Sequence, residues 1–207
     1  MPPSPLATVF IVDDDPAVLK SLARLLRSAR LDVATFNSPR EFLEQHDPRA
    51  PGCLALDVAM PGLNGLELQE ALAAKGSELP IVFLTGHGDI PMSVQAMKRG
   101  AVDFLTKPVN DEDLLKAVHV AIEKDRLQRQ TRAEVTEIQQ RLATLMPRER
   151  EVMEHVISGQ LNKQTAADLG TVEKTIKVHR ARVMEKMKVQ SVAELVRLAE
   201  RVGMRGT

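Results

Sequence analysis

Five short apolar runs, Ala7–Val12, Asp32–Phe36, Cys53–Leu56, Ile81–Leu84 and Val102–Leu105, punctuate the first half of the chain, each with the length of a β-strand. After them come Pro16–Ala29, Pro39–Gln45, Asn64–Lys75, Pro91–Arg99 and Asp111–Ile122, which carry apolar residues at helical spacing and often open on Ser, Asp or Pro as a cap or first-turn residue. The pattern predicts five βα units. Strands that read as continuous apolar runs are buried on both faces, which requires a parallel sheet with helices on each side. An α/β doubly wound domain follows. For five units the common strand order is 2-1-3-4-5, with strands one, three, four and five as neighbours.

The pattern then changes. From Lys124 to Thr144 there is no Gly or Pro, and Gln, Arg, Glu and Lys are frequent, which predicts helix. Val135, Ile138, Leu142 and Leu145 form a narrow stripe on it, suited to a packed linker, a short coiled-coil contact or, equally, a solvated spacer. After Pro147 come four short helical patterns, Arg148–Ser158, Lys163–Leu169, Glu173–Met187 and Val192–Arg201, with no strand among them. Two short helices joined by a tight turn at Gly170, the second of them basic, make a helix-turn-helix pattern. The expected division is a first domain over 1–123, a helical linker over 124–144 and a small all-α domain over 145–207.

A length of 207 residues suits two small domains, and 43% hydrophobic against 27% charged residues excludes the disordered class. The opening Met-Pro-Pro-Ser-Pro lacks the basic and apolar segments of a signal peptide, and no stretch reaches the roughly 18 apolar residues of a membrane span. A cytoplasmic protein without a membrane partner is expected. The single Cys53 has no internal disulfide partner and sits in an apolar run, as a buried thiol does. The net charge of zero conceals an asymmetry: residues 1–123 carry 11 Lys and Arg against 17 Asp and Glu, and residues 124–207 carry 17 against 11. The basic half is the candidate for nucleic acid.

In open parallel sheets, ligands bind beyond the carboxyl ends of the strands. Asp13 and Asp14 follow the first strand, Asp57 the third, Thr85 the fourth and Lys107 the fifth, so on the expected order these groups converge. Singly, an Asp at a strand end is more often a turn or cap residue; the coincidence across four strands argues for a site. Three carboxylates close together call for a hard, oxygen-ligated cation, and Mg²⁺, or Mn²⁺ in its place, suits them better than zinc. A carboxylate beside such a cation and a lysine can act as a nucleophile on a phosphoryl group, and Asp57 is the candidate.

The segments IVDDD, LALDVAMPGLNG, FLTGHGDIPM and GAVDFLTKP resemble the receiver motifs of two-component response regulators over about residues 7–123. That resemblance implies the flavodoxin-like receiver fold. It implies that Asp57 accepts phosphate from a sensor histidine kinase and that Asp14 and the main-chain carbonyl of Ala59 ligate the metal beside Asp57. Asp13 assists through water, and Lys107 and Thr85 hold the phosphoryl group. It pairs Thr85 with Phe104 as a switch, although Phe104 also reads as an ordinary core aromatic, and it implies a cis Lys107–Pro108 bond. The dimer surface it implies lies at about Pro91–Leu105.

On the basic helix, Lys174, Lys177, Val178, Ala181 and Arg182 share one face, with Ile176, Val183, Met184 and Met187 on the apolar side. A recognition helix needs such a division between groove and core. The run PREREVMEHVISGQLNKQTAADLGTVEKTIKVHRARVMEKMKV resembles the LuxR-type helix-turn-helix over about residues 145–200, and with the receiver motifs the whole is similar to regulators of the FixJ and StyR type. By that resemblance Lys163, Lys174, Thr175, Lys177, Val178, His179 and Ala181 face DNA, with His179 and Thr175 at phosphates. Three positions depart from the family. Met146 and Val172 stand where a hydroxyl commonly caps a helix, each lost cap costing roughly 1 kcal/mol; Thr165 stands where an apolar residue packs. Thr171 is the substitute cap for Val172, and Ser191 with Glu194 reads as an intact capping box.

The expected function is that of a phosphoacceptor and DNA-binding regulator rather than an enzyme, with limited self-phosphorylation from acyl phosphates and self-dephosphorylation. Phosphorylation at Asp57 promotes a homodimer that sets two recognition helices on paired half-sites of a double-stranded operator, with RNA polymerase as a further partner. A regulator that binds DNA without phosphate and uses its first domain for protein docking is the alternative. A haloacid dehalogenase-like phosphatase fits less well, because its nucleophile follows the first strand.

Overall fold

The computed structural model describes residues 7–86 and 90–204, without the side chains of 90–92. The Met1–Pro5 opening and the His87–Asp89 part of FLTGHGDIPM lie outside the described residues, as does the side chain of Pro91 in the expected dimer surface. The chain forms two compact units, Met1–Arg129 and Gln130–Thr207. Among the described residues, no helix is long and apolar enough to cross a membrane.

The first unit is a five-stranded parallel sheet in the order β2-β1-β3-β4-β5. The strands are β1 (Thr8–Val12), β2 (Asp32–Phe36), β3 (Gly52–Asp57), β4 (Ile81–Thr85) and β5 (Asp103–Thr106). They alternate with α1 (Pro16–Ser28), α2 (Pro39–Gln45), α3 (Gly65–Ala74), α4 (Ile90–Lys98) and the start of α5 (Asp111–Ala143). The expected elements are all present, with ends displaced by a residue or two except at the end of α5.

Alternate strand residues feed two separate cores. Val9, Ile11, Cys53, Ala55, Val82 and Leu84 face α1 and α5. Phe10, Val12, Leu54, Leu56, Ile81 and Phe83 face α2, α3 and α4. Caps set where helices begin: the Asp15 carboxylate accepts from Ala17 N at 2.7 Å, the Ser38 hydroxyl from Glu41 N at 3.2 Å, and Asn64 with Glu67 forms a reciprocal box.

Helix α5 does not stop at Ile122. Its continuation ties down the entry of β3, a role the composition of a linker does not suggest. Buried Asp125 accepts from Gly52 N at 2.9 Å and from Arg129 Nε at 2.7 Å, while Arg129 donates to the carbonyls of Arg49 and Ala50 at 2.8 and 2.6 Å. Gly52 is required there: at φ +149° a Cβ would lie 1.8 Å from the Thr8 carbonyl oxygen.

The second unit contains the end of α5 with α6 (Pro147–Ile157), α7 (Asn162–Asp168), α8 (Glu173–Met187) and α9 (Val192–Arg201). Of the stripe on the expected linker, Ile138, Leu142 and Leu145 are buried in this unit's core with Val152, Met153, Ile176, Val183 and Leu195. The stripe is therefore a packed one. Arg141 adds a polar tie, donating to the carbonyl of Met187 at 3.1 Å.

Asp125→Ala is expected to destabilise the first unit by about 2 kcal/mol, because it strips a buried N–H of its acceptor and Arg129 of its anchor. Urea denaturation followed in the first unit checks this; an unchanged midpoint would contradict the role given to Asp125.

Candidate functional site

The sheet register builds the acidic site. Val12 pairs with Leu56, Asp57 with Leu84 and Thr85 with Thr106, so the residues at the carboxyl ends of four strands come to one rim. Lys107 Nζ lies 2.6 Å from Asp13 Oδ2 and 3.0 Å from Asp57 Oδ1. Asp13, Asp14 and Asp57 each offer an oxygen within 4.8 Å of the others. Asp13, Asp57 and Thr85 are buried, whereas Asp14 is exposed. The Thr85 carbonyl accepts from Lys107 N at 2.6 Å, and the Lys107–Pro108 peptide is cis.

Electrostatically the cluster is unbalanced. Burial raises the Asp57 carboxyl above its ordinary value; Lys107 opposes this, and Asp13 and Asp14 push it further up. Burial alone would lower the Lys107 ammonium, but Asp13 and Asp57 outweigh it and the net shift is upward. The contact from Lys107 to Asp57 Oδ1 is an ion pair by distance without the alignment of a hydrogen bond, so that buried oxygen has no hydrogen-bond donor. One ammonium against three carboxylates, all oxygen ligands and one of them an acceptor without a donor, fits a hard divalent cation.

The two remaining predicted residues of the first unit are Phe104 and Ala59. Phe104 is half-buried on β5 with its ring 6.1 Å from that of Phe83, its register partner. Ala59 is exposed two residues after Asp57. Gly65 is a further residue of this rim: a Cβ there would sit 2.4 Å from the Asp57 carbonyl oxygen. The Asn64-Gly65 pair is a turn signal that marks such a close approach.

The second candidate surface is α8. Lys174, Lys177, Val178, Ala181 and Arg182 are exposed along it, as is Lys163 on α7; Thr175 and His179 are half-buried. Ile176, Val183 and Met187 are fully buried on the opposite side, with Met184 half-buried. Lys177 pairs with Glu173 at 3.0 Å on the exposed face. Two contacts absent from the sequence reading hold the helix. Arg180 donates to Asn162 Oδ1 on α7 at 3.0 Å, and Lys186 reaches both the buried Glu149 at 2.6 Å and the Thr144 carbonyl at 2.9 Å.

The family departures resolve differently from one another. Val172 caps α8 without any side-chain hydrogen bond, and Thr171 does not replace it. At Met146 the cap lacks a side-chain oxygen, but Glu149 returns a bond to its N–H at 2.9 Å, as Gln164 does at 2.8 Å for Leu161, the cap of α7. Buried Thr165 satisfies its hydroxyl on the Leu161 carbonyl at 3.2 Å. Ser191 caps α9 as expected, but Glu194 reaches Gln190 N at 2.8 Å rather than Ser191 N, so the box closes one residue early.

Comparison with known proteins agrees on both units. The response regulator receiver domain family matches residues 9–119, and the luxR family of bacterial regulatory proteins matches residues 143–199. The chain is 48% identical to nodulation protein W of Bradyrhizobium diazoefficiens, over 96% of this chain and 87% of that protein. It is 43% identical to the transcriptional regulatory protein FixJ of Azorhizobium caulinodans, over 95% and 93%. Among solved structures, the response regulator StyR superposes with a TM-score of 0.87 at 46% identity, covering 95% of this chain and 99% of that one.

Lys186 and then the Met146 N–H hold the Glu149 carboxyl below its ordinary value of 4.5. The stability this contributes is present above the unfolded chain's value and is lost as pH falls through the lower folded value. Glu149→Gln is therefore expected to weaken the second unit by about 2 kcal/mol near neutrality, and the gap from the parent should narrow as pH falls below the ordinary value of 4.5 and through the lower folded value. Urea midpoints across that range check it; a gap that does not narrow would contradict it.

Proposed function

The chain belongs to the response regulators that join a receiver domain to a LuxR-type DNA-binding domain and regulate transcription, and from that premise we propose that Asp57 is its phosphoacceptor and that phosphorylation switches its binding to DNA. The observation that carries this reading is the joint contact of Lys107 with Asp13 and Asp57 at one rim of the sheet.

A carboxylate oxygen of Asp57 attacks the phosphorus of a phosphohistidine on a sensor kinase. The new P–O bond forms as the P–N bond breaks, and the imidazole leaves with the electron pair and takes up a proton. Lys107 faces the phosphoryl oxygens with a fixed positive charge, and Thr85 supplies a hydroxyl donor. Asp13, Asp14 and Asp57, with the main-chain carbonyl of Ala59, would hold Mg²⁺ or Mn²⁺, which when bound neutralises charge on the transferred group. Slow reversal by water makes the modification a timed signal. Thr85 with Phe104 then transmits it to the Pro91–Leu105 surface and promotes a homodimer.

Residues 1–123 act as the receiver, 124–144 as the link and 145–207 as the DNA-binding domain of a cytoplasmic regulator. Exposed basic residues on α8 support a major-groove role. Lys163, Lys174, Thr175, Lys177, Val178, His179, Ala181 and Arg182 face the operator, and two copies occupy paired half-sites from which RNA polymerase is engaged.

Incubation with acetyl phosphate and Mg²⁺ is expected to add one phosphoryl group, removable by hydroxylamine and absent from Asp57→Asn; undiminished labelling of that variant would refute the assignment. Lys177→Ala is expected to weaken operator binding several-fold and to reduce the slope of log affinity against log salt by about 1. Titrations over a salt series check it, an unaltered slope and affinity being the contrary result.

A further inference from the structure

Helix α5 buries Leu114, Ala117, Val118 and Ala121 against the sheet, yet leaves Val120 and Leu127 exposed at 54% and 50%. These two are seven residues apart. At 3.6 residues per turn they point the same way, with Glu123 and Lys124 about 50° to either side of them. His119 and Gln128 complete the rims of the same shallow groove. Each charge is held on its own flank. Glu123 pairs with Arg126 at 2.7 Å, and the Lys124 ammonium donates to the Gly100 carbonyl at 3.2 Å.

An apolar seam with a carboxylate along one edge and an ammonium along the other is complementary to itself in one orientation only. Two such helices related by a two-fold axis parallel to their length bring Glu123 of each copy against Lys124 of the other, while Val120 meets Val120 and Leu127 meets Leu127. Running antiparallel, the same faces would set Glu123 against Glu123 and Lys124 against Lys124, which is repulsive. We propose that this strip of α5 docks a second copy of the chain, with the two helices parallel.

The proposal rests on the reading that phosphorylation promotes a homodimer through the Pro91–Leu105 surface, and adds a second contact between the copies beside it. The seam is small beside the roughly 1,200 Å² of a stable interface. Pairing through it is weak alone, which suits a contact that forms only when a second contribution, the switched receiver or two adjacent half-sites, holds the copies together.

The test uses the full chain with acetyl phosphate and Mg²⁺, phosphate occupancy read by intact mass and self-association by light scattering over a concentration series. Glu123→Lys is expected to weaken association about tenfold, and Glu123→Lys with Lys124→Glu to restore it, because the reversed pair is again complementary. Under mild oxidation Val120→Cys should cross-link to itself and Leu127→Cys to itself. Cys53 stays silent, being fully buried.

Association of Glu123→Lys equal to the parent, failure of the double reversal to restore it, or cross-linking only in a mixture of the two cysteine variants would overturn the proposal. So would a Glu123→Lys chain that pairs normally but no longer takes phosphate from a kinase, which would make the strip a docking face for another protein. A fully phosphorylated parent that stays monomeric would instead overturn the homodimer reading itself, and a parent that takes no phosphate would overturn the phosphoacceptor reading before it.

Discussion

Parallel alignment of β1, β3, β4 and β5 forces two buried carboxylates, Asp13 and Asp57, onto a single ammonium, that of Lys107. The contact is attractive but unbalanced, since Asp14 adds a third negative charge nearby. In a buried setting such an excess is costly, and a bound cation relieves it. The rest of the first unit serves this rim. Two apolar cores grip the sheet from both faces, and the capped start of α3 at Gly65 closes tightly on the Asp57 backbone.

The second unit solves a different problem, which is to hold a basic helix still while leaving its charged face in water. Ile176, Val183 and Met187 anchor it by burial, and Glu149 anchors its end through Lys186. That ion pair also collects the Thr144 carbonyl and the Met146 N–H, so the turn entering α6 and the end of α8 share one buried charge. Losing the side-chain cap at Val172 is tolerable in a helix secured this way, because packing rather than local propensity supplies most helical stability in a folded protein.

Helix α5 shows how one periodic segment can serve two units through different residues. Asp125 and Arg129 belong to the first unit, where they close the entry of β3; Ile138, Leu142 and Arg141 belong to the second, where they line its core and meet the end of α8. The charged residues between and around them gave the segment the look of a spacer. A polar composition says only that most of the surface is wet, and a helix needs just a narrow buried stripe to be structural.

Much of this was legible in the order of residues. Strand and helix types and the division of α8 into buried and exposed faces follow from short apolar runs and the helical repeat, which are local properties of the chain. The strand order and the acidic rim follow from the common topology of five βα units. Tertiary structure alone decided the contacts between distant positions: Asp125 with Gly52, Lys186 with Glu149, Arg180 with Asn162, and Glu194 choosing Gln190 over Ser191. The physical reason is that a polar side chain's partner depends on which groups burial leaves without water, and that becomes defined only once the chain has packed.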